Sequence, residues 1–205
     1  MLSTRTVTTT GHGSVSVPRD AAVLSVAAVH RAATLSEALA GAESARAAVV
    51  AVARTHVDPS AIRTQGLATW PRHDDAGRTA GYEARHSLEV RCAGLEVAAA
   101  LLQQLADEAG DRLSVDGVSL ASTPSADHLA DAREAAYADA TSRAEHLARL
   151  AGTTLGAVVS VTEGVASGQV PFARDAVAAS SKAVVGFEGG TEDVSTAVTV
   201  TWELG

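Results

Sequence analysis

The sequence predicts an α+β protein in which an antiparallel sheet carries long helices packed on one face. Three observations point there. Segments rich in Thr, Val and alternating apolar residues stand at 6–17, 21–30, 81–92 and 194–204. Between them lie three segments whose apolar or small residues recur at spacings of three and four. From Ala21 to Ser122 these elements succeed one another as β-α-β-β-α-β, the ferredoxin-like order, and a further α-β-β follows.

Residues 6–17, TVTTTGHGSVSV, read as a strand interrupted at Gly11-His12-Gly13. The glycine pair invites a phosphate-loop reading. The dinucleotide fingerprint needs a third glycine where Ser16 stands, and no helix follows, so a β-bulge is the better expectation. Pro18-Arg19-Asp20 is a turn, and Ala21–His30 a second strand. Thr34-Leu35-Ser36-Glu37 is a capping box. The helix it opens runs to about His56, with Ala38, Ala42, Ala45, Val49 and Val52 as its inward stripe. Ile62–Trp70 is a strand closed by Pro71. The polar loop His73–Gly77 turns the chain, and Gly81–Cys92 returns as its partner. Leu95–Ala109 is a shorter helix with Leu95, Ala98, Leu102 and Leu105 inward, stopped by Gly110. Leu113–Ser122 is a strand.

The stretch 127–164 organises the rest. Helix 127–151 carries one stripe of Leu129, Ala132, Ala136, Ala140, Ala144, Leu147 and Ala151. A stripe of small residues lets a helix approach a sheet closely, while each side chain buries little area. Asp139/Arg143 and Glu145/Arg149 are acid-before-base pairs one turn apart. Gly152 stands at the C′ position, where a left-handed residue is expected. Residues 155–163 form a strand. Residues 164–191 are a long segment rich in Gly, Ala and Ser, and a loop of that length is functional or mobile. Residues 194–204, VSTAVTVTWEL, form the terminal strand. The element order hints at a duplicated β-α-β-β: 21–30, 34–56, 61–70 and 81–92 match 113–122, 127–151, 155–163 and 194–204. On this reading residues 1–205 are one domain of two halves, about 1–92 and 113–205, joined by helix 95–109.

Composition narrows the function. The chain has 205 residues, a net charge of −8 and 44 alanines, with Lys182 its only lysine. A negative chain lacks the basic face that a nucleic-acid partner wants. The single cysteine, Cys92, leaves no internal disulfide, and its place at a strand end suits a buried small residue better than a nucleophile. His73, Asp74 and Asp75 cluster on one loop without a spaced partner, so a solvated loop is preferred to a metal site. The histidines at 12, 30, 56, 73, 86, 128 and 146 show no zincin, triad or deaminase spacing. No catalytic constellation, cofactor motif or metal motif rises above background. The N-terminus shows no signal-peptide h-region, and no apolar run of 18 residues exists to span a membrane. A cytoplasmic protein is the expectation.

The residues then resemble a known family, the SIMPL-domain (YggE-like) proteins. The likeness begins at Val7–Asp20, continues through Ala61–Thr64 and Gly81–Ala84, and is strongest at Ala132–Ala136, Leu147–Gly152 and Leu155–Gly156. It ends with Val198–Leu204. The resemblance implies an α+β fold and self-association, because some bacterial relatives form ring or channel-like assemblies. It also implies links to oxidative and envelope stress and, in animals, to a kinase signalling partner. It implies no enzyme activity and no cofactor. The sequence therefore favours a non-enzymatic, self-assembling interaction module, a homo-oligomer whose strands 6–17 and 194–204 offer sheet edges for pairing. The alternative is a small-molecule or peptide binder that uses 164–191 as a lid, with Phe172, Phe187 and Tyr82 as candidate apolar contacts.

Overall fold

The computed structural model describes residues 5–164 and 186–205. Along them run β1 (Thr6–Pro18), β2 (Ala21–Ala32), α1 (Leu35–Ala53), β3 (Ile62–His73) and β4 (Thr79–Cys92). Then come α2 (Leu95–Ala109), β5 (Leu113–Ala121), α3 (Ala126–Leu150), β6 (Leu155–Gly164) and β7 (Thr191–Leu204). The class is α+β, and all the strand pairs are antiparallel. The strands divide between two sheets rather than forming one, in the orders β1-β7-β6 and β3-β4-β2-β5. By internal contacts the chain separates into two compact units. One holds β1, α3, β6 and β7; the other holds β2 through β5 with α1 and α2.

In the second unit α1 and α2 cover one face of the four-stranded sheet. Ala45, Val49 and Val52 of α1 and Leu101, Leu102 and Leu105 of α2 meet the inward residues of β2 and β4. The capping box forms: the Thr34 side chain accepts from the Glu37 amide, and Glu37 reaches back to the Thr34 amide. β3 runs on through Pro71 to His73, three residues past its expected end. That is tolerated because β3 is an edge strand, where a missing N–H need not break a ladder.

The first unit is built on small residues. Its helix buries Ala132, Ala136, Ala140, Ala144 and Ala148, a strict row of every fourth residue. Leu129 and Leu147, expected on the stripe, stay exposed. The reason is the strand beneath. Thr9 of β1 donates its hydroxyl to the Ala140 carbonyl at 2.7 Å. Farther along β1, Gly11 lies under Ala136 and Ala140, and Gly13 under Ala132 and Ala136. Two strand residues advance about 6.8 Å and four helix residues about 6.0 Å, so the two chains stay in step in opposite directions. The Gly11–Gly13 segment is not a bulge: the β1–β7 register runs unbroken from Thr6↔Glu203 to Pro18↔Thr191. A Cβ at either glycine would collide with helix backbone. α3 ends as expected, with Gly152 at φ 69° and the Thr153 amide bonded to the Ala148 carbonyl.

The duplication takes a different form from the expected one. The strand 113–122 pairs with β2 in the four-stranded sheet. The second β-α-β-β set is instead β1, α3, β6 and β7, with sheet order β6-β7-β1 against β3-β4-β2 in the other unit. β7 is therefore central and offers no edge, contrary to the sequence expectation for 194–204.

Candidate functional site: two unlike edges of one sheet

In the first unit the two sheet edges differ in chemistry. Alternate residues of an edge strand point their N–H and C=O groups outward. On β1, two such groups are already bonded. The His12 N–H donates to Asp139 Oδ2 at 2.8 Å, and Arg143 Nη1 donates to the Thr10 carbonyl at 3.1 Å. Asp139 and Arg143 hold each other through Nε–Oδ1 at 3.0 Å and Nη2–Oδ2 at 2.9 Å. One turn of α3 thus offers β1 an acceptor followed by a donor, the sequence of groups that a neighbouring strand presents. The His12 amide, followed by Arg143, holds the Asp139 carboxyl below the ordinary aspartate range. The guard therefore stays charged until pH falls through that lowered value.

Among the described residues β6 has no such guard. Among the described residues its only strand partner is β7. α3 covers β1 and β7 and scarcely touches β6. Val158, Val159 and Val161 are consequently 45%, 54% and 53% exposed. Two register shifts, between Leu155 and Val158 and between Val158 and Ser160, set both Val158 and Val161 opposite β7 residues of the helix-facing side, Trp202 and Val200. Together with Tyr137 they make an apolar shelf. Tyr137 leans on Trp202 with ring centroids 6.5 Å apart. A shallow groove of about 400 Å³ runs between Tyr137, Ala138, Val161 and Val198. Arg133 closes one end, its Nε 2.6 Å from Glu163 Oε1.

Among the described residues, the other positions singled out by sequence stand in different places. Tyr82 packs beside Ala38, Ala42 and Ala84. Phe187 packs against the main core of the four-stranded unit and lines a cleft of about 620 Å³ with Leu95, Ala99 and Ala100. These are separate apolar clusters. Phe172 lies outside the described residues, as does most of the segment 164–191. Asp74 is committed to its turn, accepting from the Ala76 and Arg78 amides and from Arg78 Nε. The Arg78 amide leads in lowering its pKa. Glu43, Arg46 and His86 form a titratable cluster in the other unit. Arg46 Nε donates to Glu43 Oε2 at 2.8 Å, and His86 Nδ1 stands 3.5 Å from the same oxygen. Burial, then the Arg46 charge, lowers the His86 pKa and favours the neutral imidazole. Among the described residues no group of three His, Cys, Asp or Glu side chains is placed to hold a metal ion, and no helix is long and apolar enough to cross a membrane.

Cys92 is fully buried, and burial raises its thiol pKa. An aromatic disulfide reagent is expected to leave it unmodified in the native protein and to titrate one thiol only after denaturation. Rapid modification of the folded chain would contradict that placement.

The fold and edges define a class: an α+β protein of two helix-backed antiparallel sheets, with one strand exposed along nearly its whole length. The family comparison fits it. Residues 7–202 match the family described as SIMPL, protein of unknown function (DUF541), and the chain belongs to that family. No curated protein matches the chain.

Of the two strands expected at sheet edges, 6–17 is one and 194–204 is central, while the second edge, β6, was not expected. The signal that marks β6 was present: residues 155–162, LGAVVSVT, contain three valines and neither a charge nor a proline. Charges and prolines are among the devices that blunt natural edge strands.

Proposed function

We propose that the chain is a non-enzymatic, self-assembling interaction module, with a part in oxidative or general stress of the kind the family resemblance implies. One observation carries the assembly reading: β6 presents a ten-residue strand, exposed along nearly its whole length, on an apolar shelf that nothing among the described residues covers. Unpaired main-chain groups beside exposed valines favour addition of another strand. Size-exclusion chromatography with light scattering on the full chain, across a concentration series, tests it. The expected result is a mass above the monomer that grows with concentration to a defined multiple. A monomer at every concentration would sink the assembly reading. It would move the weight to the second reading, an apolar small molecule held at the Leu95/Ala99/Phe187 cleft.

A further inference from the structure

We infer that the strand that docks on β6 is β6 of a second copy, paired antiparallel about a two-fold axis, while Asp139 and Arg143 keep β1 from competing. The inference rests on the self-assembly reading above and specifies its partner and geometry.

A sheet with two open edges polymerises, because the first edge of one copy accepts the second edge of the next. Here that head-to-tail contact would be β6 on β1. It is obstructed, because Asp139 and Arg143 already occupy the His12 amide and Thr10 carbonyl in the middle of β1. An incoming strand would have to displace a bidentate ion pair. The edges of the other unit are poorer matches. β3 carries Arg63, Pro71 and Arg72, and β5 carries Asp116, which is tied to Arg85 and Ser114. The strand left is β6, and a contact of β6 with itself is isologous and closes at two copies.

Charge favours the same pairing. At net charge −8, two copies repel unless they meet where carboxylates are absent. Residues 155–162 carry no charge. Glu163, the one acid of the strand, is held by Arg133 on its own helix. With the axis near Ser160, each Glu163 falls opposite Ala157 of the second copy, away from the other carboxylate. The helix-facing shelves of Val158 and Val161 then adjoin across the axis, and two three-stranded sheets become one of six.

The test combines four measurements on the full chain. Light scattering should give an even number of copies. Hydrogen–deuterium exchange at low and high concentration needs no variant, and amides of residues 155–164 should slow as concentration rises. The double substitution V159K/V161K should raise the dissociation constant by about tenfold or more, since it adds like charges at the axis. The double substitution D139A/R143A, with folding checked by circular dichroism, should let assemblies grow past the wild-type mass because β1 is uncovered. A monomeric wild type overturns both this inference and the assembly reading. A wild type that assembles with unprotected β6 amides, or whose mass V159K/V161K leaves unchanged, overturns the inference alone. An unchanged mass for folded D139A/R143A overturns the role given to the guard.

Discussion

Replacing Gly11 or Gly13 with valine is expected to destabilise the three-stranded unit by about 3 kcal/mol or more, near the upper end for one substitution. Strand propensity points the other way, since valine is a preferred strand residue and glycine a poor one. The clash decides. A Cβ at Gly11 would sit inside contact distance of the Ala136 carbonyl and the Ala140 amide and Cα. One at Gly13 would meet the Ala132 carbonyl and the Ala136 amide. These are backbone atoms, so no rotamer change relieves them; the helix must lift off the strand. Lifting breaks the bond from Thr9 to the Ala140 carbonyl and opens the alanine row to water. Even alanine should be damaging here, because it already carries the offending atom. Gly66 and Gly117 supply the control, since a Cβ at either meets nothing within 4 Å. Alanine there should change stability by about 0.5 kcal/mol at most. Urea denaturation followed by far-ultraviolet circular dichroism measures all four positions. Equal effects at Gly11 and Gly66 would show that close approach is not what position 11 requires.

Much of this was legible in the sequence where the signal is local. The Thr34–Glu37 box, the Gly152 stop, the inward stripe of α1 and the hairpin turn at Asp74 all rest on interactions within a few residues, and each appears where expected. The α3 stripe was legible only in part. Ala132 through Ala144 follow the period, but Leu129 and Leu147 are excluded by the direction of β1 across the helix, and that strand lies more than a hundred residues away in sequence. Strand partnership beyond the β3–β4 hairpin was not legible for the same reason. Nothing in 113–122 marks it for β2, and nothing in 194–204 marks it as the centre of a sheet rather than its rim. The guard on β1 shows the limit most clearly. Asp139 and Arg143 read as an ordinary surface pair at i,i+4, worth a few tenths of a kcal/mol. Their bonds to His12 and Thr10 exist because a tight helix–strand contact brings that turn against the edge. The tightness follows in turn from glycine facing alanine. Local text therefore fixed the elements, while small-residue complementarity across long separations fixed which edge is closed and which is open.

That complementarity leaves the first unit dependent on one large side chain, and Trp202→Ala should cost about 4 kcal/mol. The buried cluster under α3 consists of Ala136, Ala140, Ala144, Val198, Val200 and Trp202. Alanines and valines bury little each, so Trp202, 3% exposed, provides the largest block of apolar volume there. Truncation leaves a cavity that alanines cannot collapse to fill, because the helix is already in backbone contact with β1 through the glycines. Tyr137 and the Val158–Val161 shelf lose the ring they lean on, so the open edge should loosen along with the core. For a chain of this length the cost corresponds to a melting temperature lower by about 10 °C. Trp202→Phe keeps a ring in place and should cost less than half as much. The assignment can be read by fluorescence, since Trp70 on β3 is 47% exposed. Trp70→Phe should leave stability within about 0.5 kcal/mol of wild type and isolate a blue-shifted emission that reports on Trp202 alone. A Trp202→Ala protein that melts with the wild type would mean that the alanine row and the glycine notch hold the unit together without it.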